Sequence, residues 1–203
     1  MYRLFIVIFV HIVSGHNGYD HEVAKYFSEH QVVPNVISVP PKQGLKVTYG
    51  ENEVKFGNEL TPTQVKDIPS VEWNADPTLF YTLIMTDPDA PSRQNPEFGE
   101  WIHWIVVNIP GKDISKGDTI AEYVGSGPPP HTDLHRYVFL VYAQEHKHDF
   151  EEPILTNKSG NGRAKGSVKK FAEKHGLGYP LFGNFYQAKY DDYVPILYKQ
   201  LGE

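Results

Sequence analysis

The chain has 203 residues, 40% of them apolar and 13% aromatic, with 19 basic against 25 acidic side chains and a formal net charge of -6. That composition suits a folded domain with a sizeable core rather than a disordered chain, and the absence of a dense basic run argues against electrostatic capture of nucleic acid or an anionic membrane. There is no cysteine, which excludes a disulfide framework, a thiolate nucleophile and a zinc-thiolate centre.

The first residues, MYRLFIVIFVHIVSGHN, place Arg3 before an apolar run from Leu4 to Val13 and then the small residues Ser14 and Gly15. This is the pattern of a secretory signal peptide, predicted over residues 1–15 with cleavage near Gly15. The run is too short to span a membrane, so the mature chain, residues 16–203, is expected to be a single extracellular domain without a transmembrane segment. Losing Arg3 makes its formal charge one unit more negative. Asn157-Lys158-Ser159 is the one glycosylation sequon and marks an exposed loop in a secreted chain.

Asp20 caps a predicted helix through Glu29, with Val23, Ala24 and Phe27 as its apolar stripe. LKVTYG and EVKFGNELT alternate like hairpin strands joined near Gly50-Glu51-Asn52, and PTQVKDIP, held between prolines, is a loop or single turn. Three stronger strands follow, residues 80–86, 101–109 and 136–144, β-branched and aromatic; the last two are apolar on both faces and so central. Ser167 caps a helix through VKKFAEKH that Gly176 ends, and DDYVPILYKQL is the last predicted helix, started by an acidic residue with Pro195 in its first turn. The fold class is mainly β with peripheral helices.

If the strand 80–86 runs opposite to the other two, Asp87, His103 and His135 meet at one end of the sheet. Period-two alternation puts Trp101, His103, Ile105 and Val107 on one face, and His135, Tyr137, Phe139 and Val141 on one face of the next strand. Polar residues at the entrance with apolar ones beyond describe a pocket mouth. YVGSGPPPHTDLH supplies a stiff loop beside it: Gly125 and Gly127 allow close backbone approach, and Pro128, Pro129 and Pro130 fix the chain beyond them. Exposed amides beside two histidines suit a small anion, and Asp87 or Asp89 can hold a histidine ring. No Gly-x-Ser-x-Gly elbow supports a hydrolase. Two histidines and two aspartates suit zinc or iron by type, but a metal leaves the glycine-proline loop without a part, so phosphate accounts for more of the residues.

TDPDAPSR, EWIHWIVVNIPG, YVGSGPPP, LHRYVFLVYAQ and DDYVPILYKQL together resemble the phosphatidylethanolamine-binding family, which includes the Raf kinase inhibitor proteins. The stretch VEWNADPTLFYTLIM with a signal peptide further resembles secreted insect members described as odorant-binding. The resemblance implies a Greek-key β-fold, a central antiparallel sheet flanked by a smaller sheet and helices, and an anion pocket at one end. It places Asp87, Pro91, Trp101, His103, Gly125, Gly127, Pro128, His135 and Tyr137 on pocket motifs, lays Tyr198 and Leu201 of the C-terminal helix over the pocket, and implies a cis bond at Ala90-Pro91. Phe98 stands where many members carry a tyrosine, and Asp133 lies in a segment where glycine is common.

The reading is a secreted, non-enzymatic binding protein, without cofactor or bound metal, whose ligand is a phosphate-type headgroup such as that of phosphatidylethanolamine. His103 and His135 are expected to donate to phosphate oxygens, Gly125 to Gly127 to supply backbone donors, and Trp101, Phe98 and Tyr198 to form an apolar rim. Asp87 is expected to orient a histidine or to accept an ammonium. Two alternatives stay open: a protein-interaction regulator that inhibits a serine protease or kinase, with NKSGNGRAKGS, carrying Arg163 and Lys165, as its substrate-like loop; and a carrier of an odorant or pheromone.

Overall fold

A computed structural model describes residues 20–202; the predicted signal peptide lies outside the described residues. Helix α1 (His21–Glu29) starts where the Asp20 carboxylate accepts the N–H groups of Glu22 and Val23, and it buries Val23 and Phe27. A single turn, α2 (Val32–Asn35), follows. The predicted hairpin forms as β2 (Lys46–Tyr49) and β3 (Asn52–Glu53), but its second arm is only two residues long. The remainder of EVKFGNELT is irregular, because the Asn58 side chain holds Lys55 and Glu53 in a local turn and Gly57 takes a positive φ of 106°. β4 (Ser70–Glu72), which the sequence pattern does not mark, completes this three-stranded sheet in the order β3-β2-β4.

The larger sheet contains β1 (Gln43–Gly44), β5 (Phe80–Asp87), β6 (Trp101–Pro110), β7 (Asp118–Ala121), β8 (His135–Gln144) and β9 (Phe182–Ala188), in the order β1-β9-β8-β5-β6-β7. β5 is antiparallel to both β6 and β8, as expected, and the sheet departs from antiparallel order only at its edge, where β1 runs parallel to β9. Both outermost strands are short, two residues in β1 and four in β7.

β9 escapes the sequence pattern because Gly183 and Asn184 look like turn residues. Each has a packing reason instead. A Cβ on Gly183 would lie 2.5 Å from Pro41 and 2.9 Å from Phe27, and buried Asn184 bonds the Leu45 and Val54 carbonyls and the Phe56 N–H.

The large sheet is covered on both faces. One face packs against the small sheet, with Leu83, Met85, Trp104, Val106, Tyr137 and Phe139 meeting Leu45, Val47 and Val71. The other carries Ile84, Ile105, Val107, Val138 and Leu140 against α1 and α3 (Val168–Lys174). Ser167 caps α3 through Lys170 N–H, and Gly176 follows it at φ 63°. α4 (Val194–Leu201) carries Pro195 in its first turn but has Tyr193, not an aspartate, at its N-cap; Asp191 acts one step earlier by accepting Tyr193 N–H.

Strict alternation fails in β6. Met85 pairs with Trp104 and Thr86 with Ile102, so His103 is the extra residue of a β-bulge. Beyond it the phase inverts: Ile105 and Val107 face the helices rather than continuing the face of Trp101 and His103, and Trp104 and Val106 take that place. The bulge aims His103 and Trp104 to the same side.

Candidate functional site

Asp87, His103 and His135 do converge at one end of the sheet, around a cavity of about 360 Å³. Eleven of the twelve predicted site residues line it: Asp87, Pro91, Phe98, Trp101, His103, Gly125, Gly127, His135, Tyr137, Tyr198 and Leu201. Pro128 is the exception; it is buried behind the loop, and Pro129 takes its place in the wall. The Ala90-Pro91 bond is cis. Gly160, Asn161 and Ala164, on the loop before α3, also line the cavity, as does Leu197; the sequence gives no chemical signal for them.

Asp87 accepts Asp89 N–H on Oδ1 at 2.7 Å and meets His135 Nδ1 with Oδ2 at 2.8 Å. Burial pushes its pKa up, with the His135 bond opposing. The other ring nitrogen of His135 lies 2.9 Å from Thr132 Oγ1, whose own proton goes to the Pro129 carbonyl at 2.7 Å. Thr132 therefore accepts, His135 Nε2 carries a hydrogen, and both nitrogens are committed within the protein. The line Asp87–His135–Thr132 has the residue types of a hydrolytic triad with the hydroxyl proton turned away from the histidine.

Asp89 takes a different partner. Its carboxylate forms a bidentate pair with buried Arg136, at 2.6 and 2.8 Å, and also accepts Arg136 N–H. Arg136 continues to the carbonyls of His30 and Gln31, so the Asp-Pro-Asp loop, β8 and the α1–α2 junction are fixed to one another. An arginine in the otherwise apolar RYVFLVYAQ was the available signal.

His103 is 3% exposed. Its Nδ1 donates to the Val124 carbonyl at 2.8 Å, and its ring stands 4.4 Å from that of Trp101 and 5.1 Å from that of Tyr137. Burial first, then the positive charge of Arg163 and the neighbouring His135, lower its pKa to about 3 against the pull of backbone hydrogen bonds to Val124 and Gly125. The ring is neutral at physiological pH.

Among the described residues nothing accepts the backbone N–H of Gly125, Ser126 or Gly127. Gly125 packs so closely that a Cβ would lie 2.8 Å from the Val65 carbonyl. The Tyr137 hydroxyl is buried without a partner, its neighbour Ser126 Oγ being engaged by Tyr186 at 2.6 Å. α4 covers the loop: Tyr198 donates to the Gly127 carbonyl at 2.9 Å, and Leu197 and Leu201 pack with Val124.

Arg163 is the residue whose place the sequence misjudges. Expected on an exposed loop, it is 0% exposed. Its guanidinium donates to the carbonyls of Ile102 and Glu122, both at 2.8 Å, and of Thr156 at 3.0 Å, and lies 5.2 Å from the Trp101 ring. It forms no ion pair among the described residues, and burial lowers its pKa from 12.5 to about 10. A buried cation, drawn only by the more distant Glu122 carboxylate, thus sits behind the wall of a cavity in an acidic protein. Lys165, two residues on, is exposed.

Glu100, beside Trp101, is buried on the other side of the sheet, where its Oε2 accepts Val168 N–H at 3.2 Å at the start of α3. Burial raises its pKa from 4.5 to about 7. Phe98, at the rim, is 47% exposed, and Asp133 is exposed and outside the cavity wall. His131 and His135 have a His-x3-His spacing, but His131 is exposed, and among the described residues no cluster of three or more His, Cys, Asp or Glu could hold a metal. No described helix is long and apolar enough to cross a membrane.

The family model for "Phosphatidylethanolamine-binding protein" matches residues 38–187. The Drosophila melanogaster protein named "Putative odorant-binding protein A5" is 42% identical over 183 residues, which cover 90% of this chain and 87% of that one. The CG7054 solution structure is 52% identical, with a TM-score of 0.70 over 84% of this chain and 97% of that one. The fold alone is shared with the carboxypeptidase Y inhibitor crystallised with its cognate proteinase, 24% identical, with a TM-score of 0.71 over 84% of this chain and 96% of that one. This chain belongs to the phosphatidylethanolamine-binding protein family.

Proposed function

We propose that the protein is a secreted, non-enzymatic binding protein whose pocket takes a phosphate-type headgroup of the kind phosphatidylethanolamine carries. The observation that carries this reading is the pair of loop residues Gly125 and Gly127, which line the cavity and whose backbone N–H groups nothing in the described protein accepts. Unpaired amides at a prepared concave site suit an oxyanion. Arg163, buried beside Trp101 and His103 with no carboxylate in ion-pair contact, favours a negative ligand over a neutral one. The commitment of Thr132 to Pro129 leaves no activated hydroxyl on His135, which supports binding without turnover.

Secretion rests on the N-terminal pattern, and sequencing the mature N-terminus from culture medium tests it. Asn157, half-buried beside α4 through the Gln200 bond to its carbonyl, is the proposed glycosylation position. The burial of Arg163 removes it as the contact residue of a protease-inhibiting loop.

Calorimetric titration of the purified protein with inorganic phosphate tests the pocket. Saturable binding to one site is expected, weakened by about 1.5–3 kcal/mol in His103→Ala, the range for hydrogen bonds to charged groups, and unchanged in His146→Ala. Equal behaviour of the two variants, or no binding by the native protein, contradicts the reading.

A further inference from the structure

The loop NKSGNGRAKGS contributes more to the cavity than its place in the sequence suggests. Gly160, Asn161 and Ala164 line the wall. Arg163 N–H bonds the Gly160 carbonyl at 3.3 Å, closing a four-residue turn with Asn161 and Gly162 at its centre. Gly162 has a φ of 78°, the left-handed value that the third position of a type II turn requires and that glycine adopts without strain. The fold therefore demands a glycine directly after a cavity-lining asparagine. Both residues are exposed, and among the described residues neither the Asn161 side chain nor the Gly162 N–H has a hydrogen-bond partner. No hydrogen bond holds the Asn161 carboxamide away from the nitrogen of the next residue, and that residue has no side chain to obstruct their approach.

We propose that Asn161 is a site of spontaneous deamidation and that its conversion weakens the anion pocket. The second half rests on the phosphate reading; the first does not. The Gly162 nitrogen bonds to Asn161 Cγ, and its hydrogen leaves with the side-chain nitrogen as ammonia, closing a five-membered imide. Water then opens that ring at one of its two carbonyls. One opening gives aspartate; the other gives isoaspartate, in which the main chain runs through the former side chain. No oxidant, cofactor or enzyme takes part. Either product puts a carboxylate on a wall whose one acidic side chain, Asp87, is already bonded to His135. Isoaspartate also adds a carbon to the main chain between Gly160 and Arg163. Arg163 cannot follow such a change, because its carbonyl accepts Ile102 N–H at 2.9 Å and its guanidinium holds the carbonyls of Ile102, Glu122 and Thr156. The added length falls on the cavity-lining end of the turn.

The test holds the purified native protein at physiological temperature and pH and maps its tryptic peptides over time. Trypsin cuts after Lys158 and Arg163, so Asn161 is read on the peptide Ser159–Arg163. The other such pair in the chain, Asn17-Gly18, falls on a different peptide and lies outside the described residues. The Ser159–Arg163 peptide should gain the mass of an amide-to-acid change and split into two chromatographic forms, while the peptide carrying exposed Asn74, which alanine follows, stays unchanged. Conversion of Asn161 in the folded protein no faster than that of Asn74 overturns the inference, and Asn161→Gln should abolish the mass gain. Ion exchange then separates intact from converted protein, and each is titrated with inorganic phosphate by calorimetry. Affinity should be about tenfold lower after conversion, the effect of one charge roughly 10 Å away at an effective dielectric of about 20. Asn161→Asp should reproduce the part of the loss that comes from charge. Equal affinity of the two forms overturns the inference. If the intact protein binds no phosphate, the pocket reading and the second half of the inference fall together, whereas the peptide map still decides the first.

Discussion

Glu100→Gln isolates one buried proton. In the native protein burial holds the Glu100 carboxyl near 7, against 4.5 for an ordinary glutamate. Between those values the folded chain keeps a proton that the unfolded chain has lost, so this group's contribution to stability is complete below about pH 4.5 and is lost as pH rises through 7. At about 1.36 kcal/mol per tenfold change in proton affinity, the loss is about 3 kcal/mol. Glutamine keeps an oxygen for Val168 N–H and never ionises. The variant should match the native protein at pH 4.5 and exceed its stability by about 3 kcal/mol at pH 8. His103 works in the opposite direction: with its pKa lowered to about 3, it stays neutral where the unfolded ring takes a proton, so its contribution is lost as pH falls below about 6.5. The two offset each other between pH 4.5 and 6.5, which hides both in the native pH profile. The difference between variant and native protein removes the histidine, because Glu100 lies against the start of α3 while His103 lies in the cavity wall on the other side of the sheet. Urea denaturation at half-unit pH intervals, with m-values compared, provides the measurement. A difference that does not change with pH, or a variant less stable at pH 8, refutes the reasoning.

Gly125→Ala and Gly127→Ala should part company: the first drives a Cβ to 2.8 Å from the Val65 carbonyl, the second to 2.9 Å from a methyl of Leu197. Backbone yields less readily than a side-chain tip, so Gly125→Ala should lose about 1–3 kcal/mol while Gly127→Ala should mainly displace α4 and alter ligand affinity; equal losses in urea melts contradict this. Arg163→Met keeps the stem but leaves three close carbonyls short of a donor, and at about 1 kcal/mol each it should cost about 3 kcal/mol and weaken phosphate binding. A stable variant with native affinity argues against any electrostatic role for the guanidinium.

The convergence of Asp87, His103 and His135 was legible because it needs only three strongly patterned strands and the antiparallel rule. The bulge was not: WIHWIVVNI is apolar at almost every position, so nothing in it marks where the phase inverts, and plain alternation puts Ile105 and Val107 on the wrong face. β9 was hidden for the converse reason, since Gly183 and Asn184 owe their identity to Pro41, Phe27 and Leu45, all remote in sequence. Arg163 misleads in a third way. Surrounded by glycine, serine and lysine, it reads as solvent-exposed, and only the fold shows the carbonyls that bury it. Pairing of acids with bases was half legible: the sequence suggested an aspartate holding a histidine, and Asp87 does, but Asp89 turned to Arg136.

The short outer strands of the large sheet bear on how the protein behaves in concentrated solution. A long unpaired strand edge is a template for adding another chain, and this protein has no disulfide to lock its sheet against such growth. β1 offers two residues and β7 four, with Asp118 and Thr119 exposed on the latter. Neither edge of the large sheet offers more than four residues for such pairing, so among the described residues this sheet favours self-association through side chains over growth along its backbone.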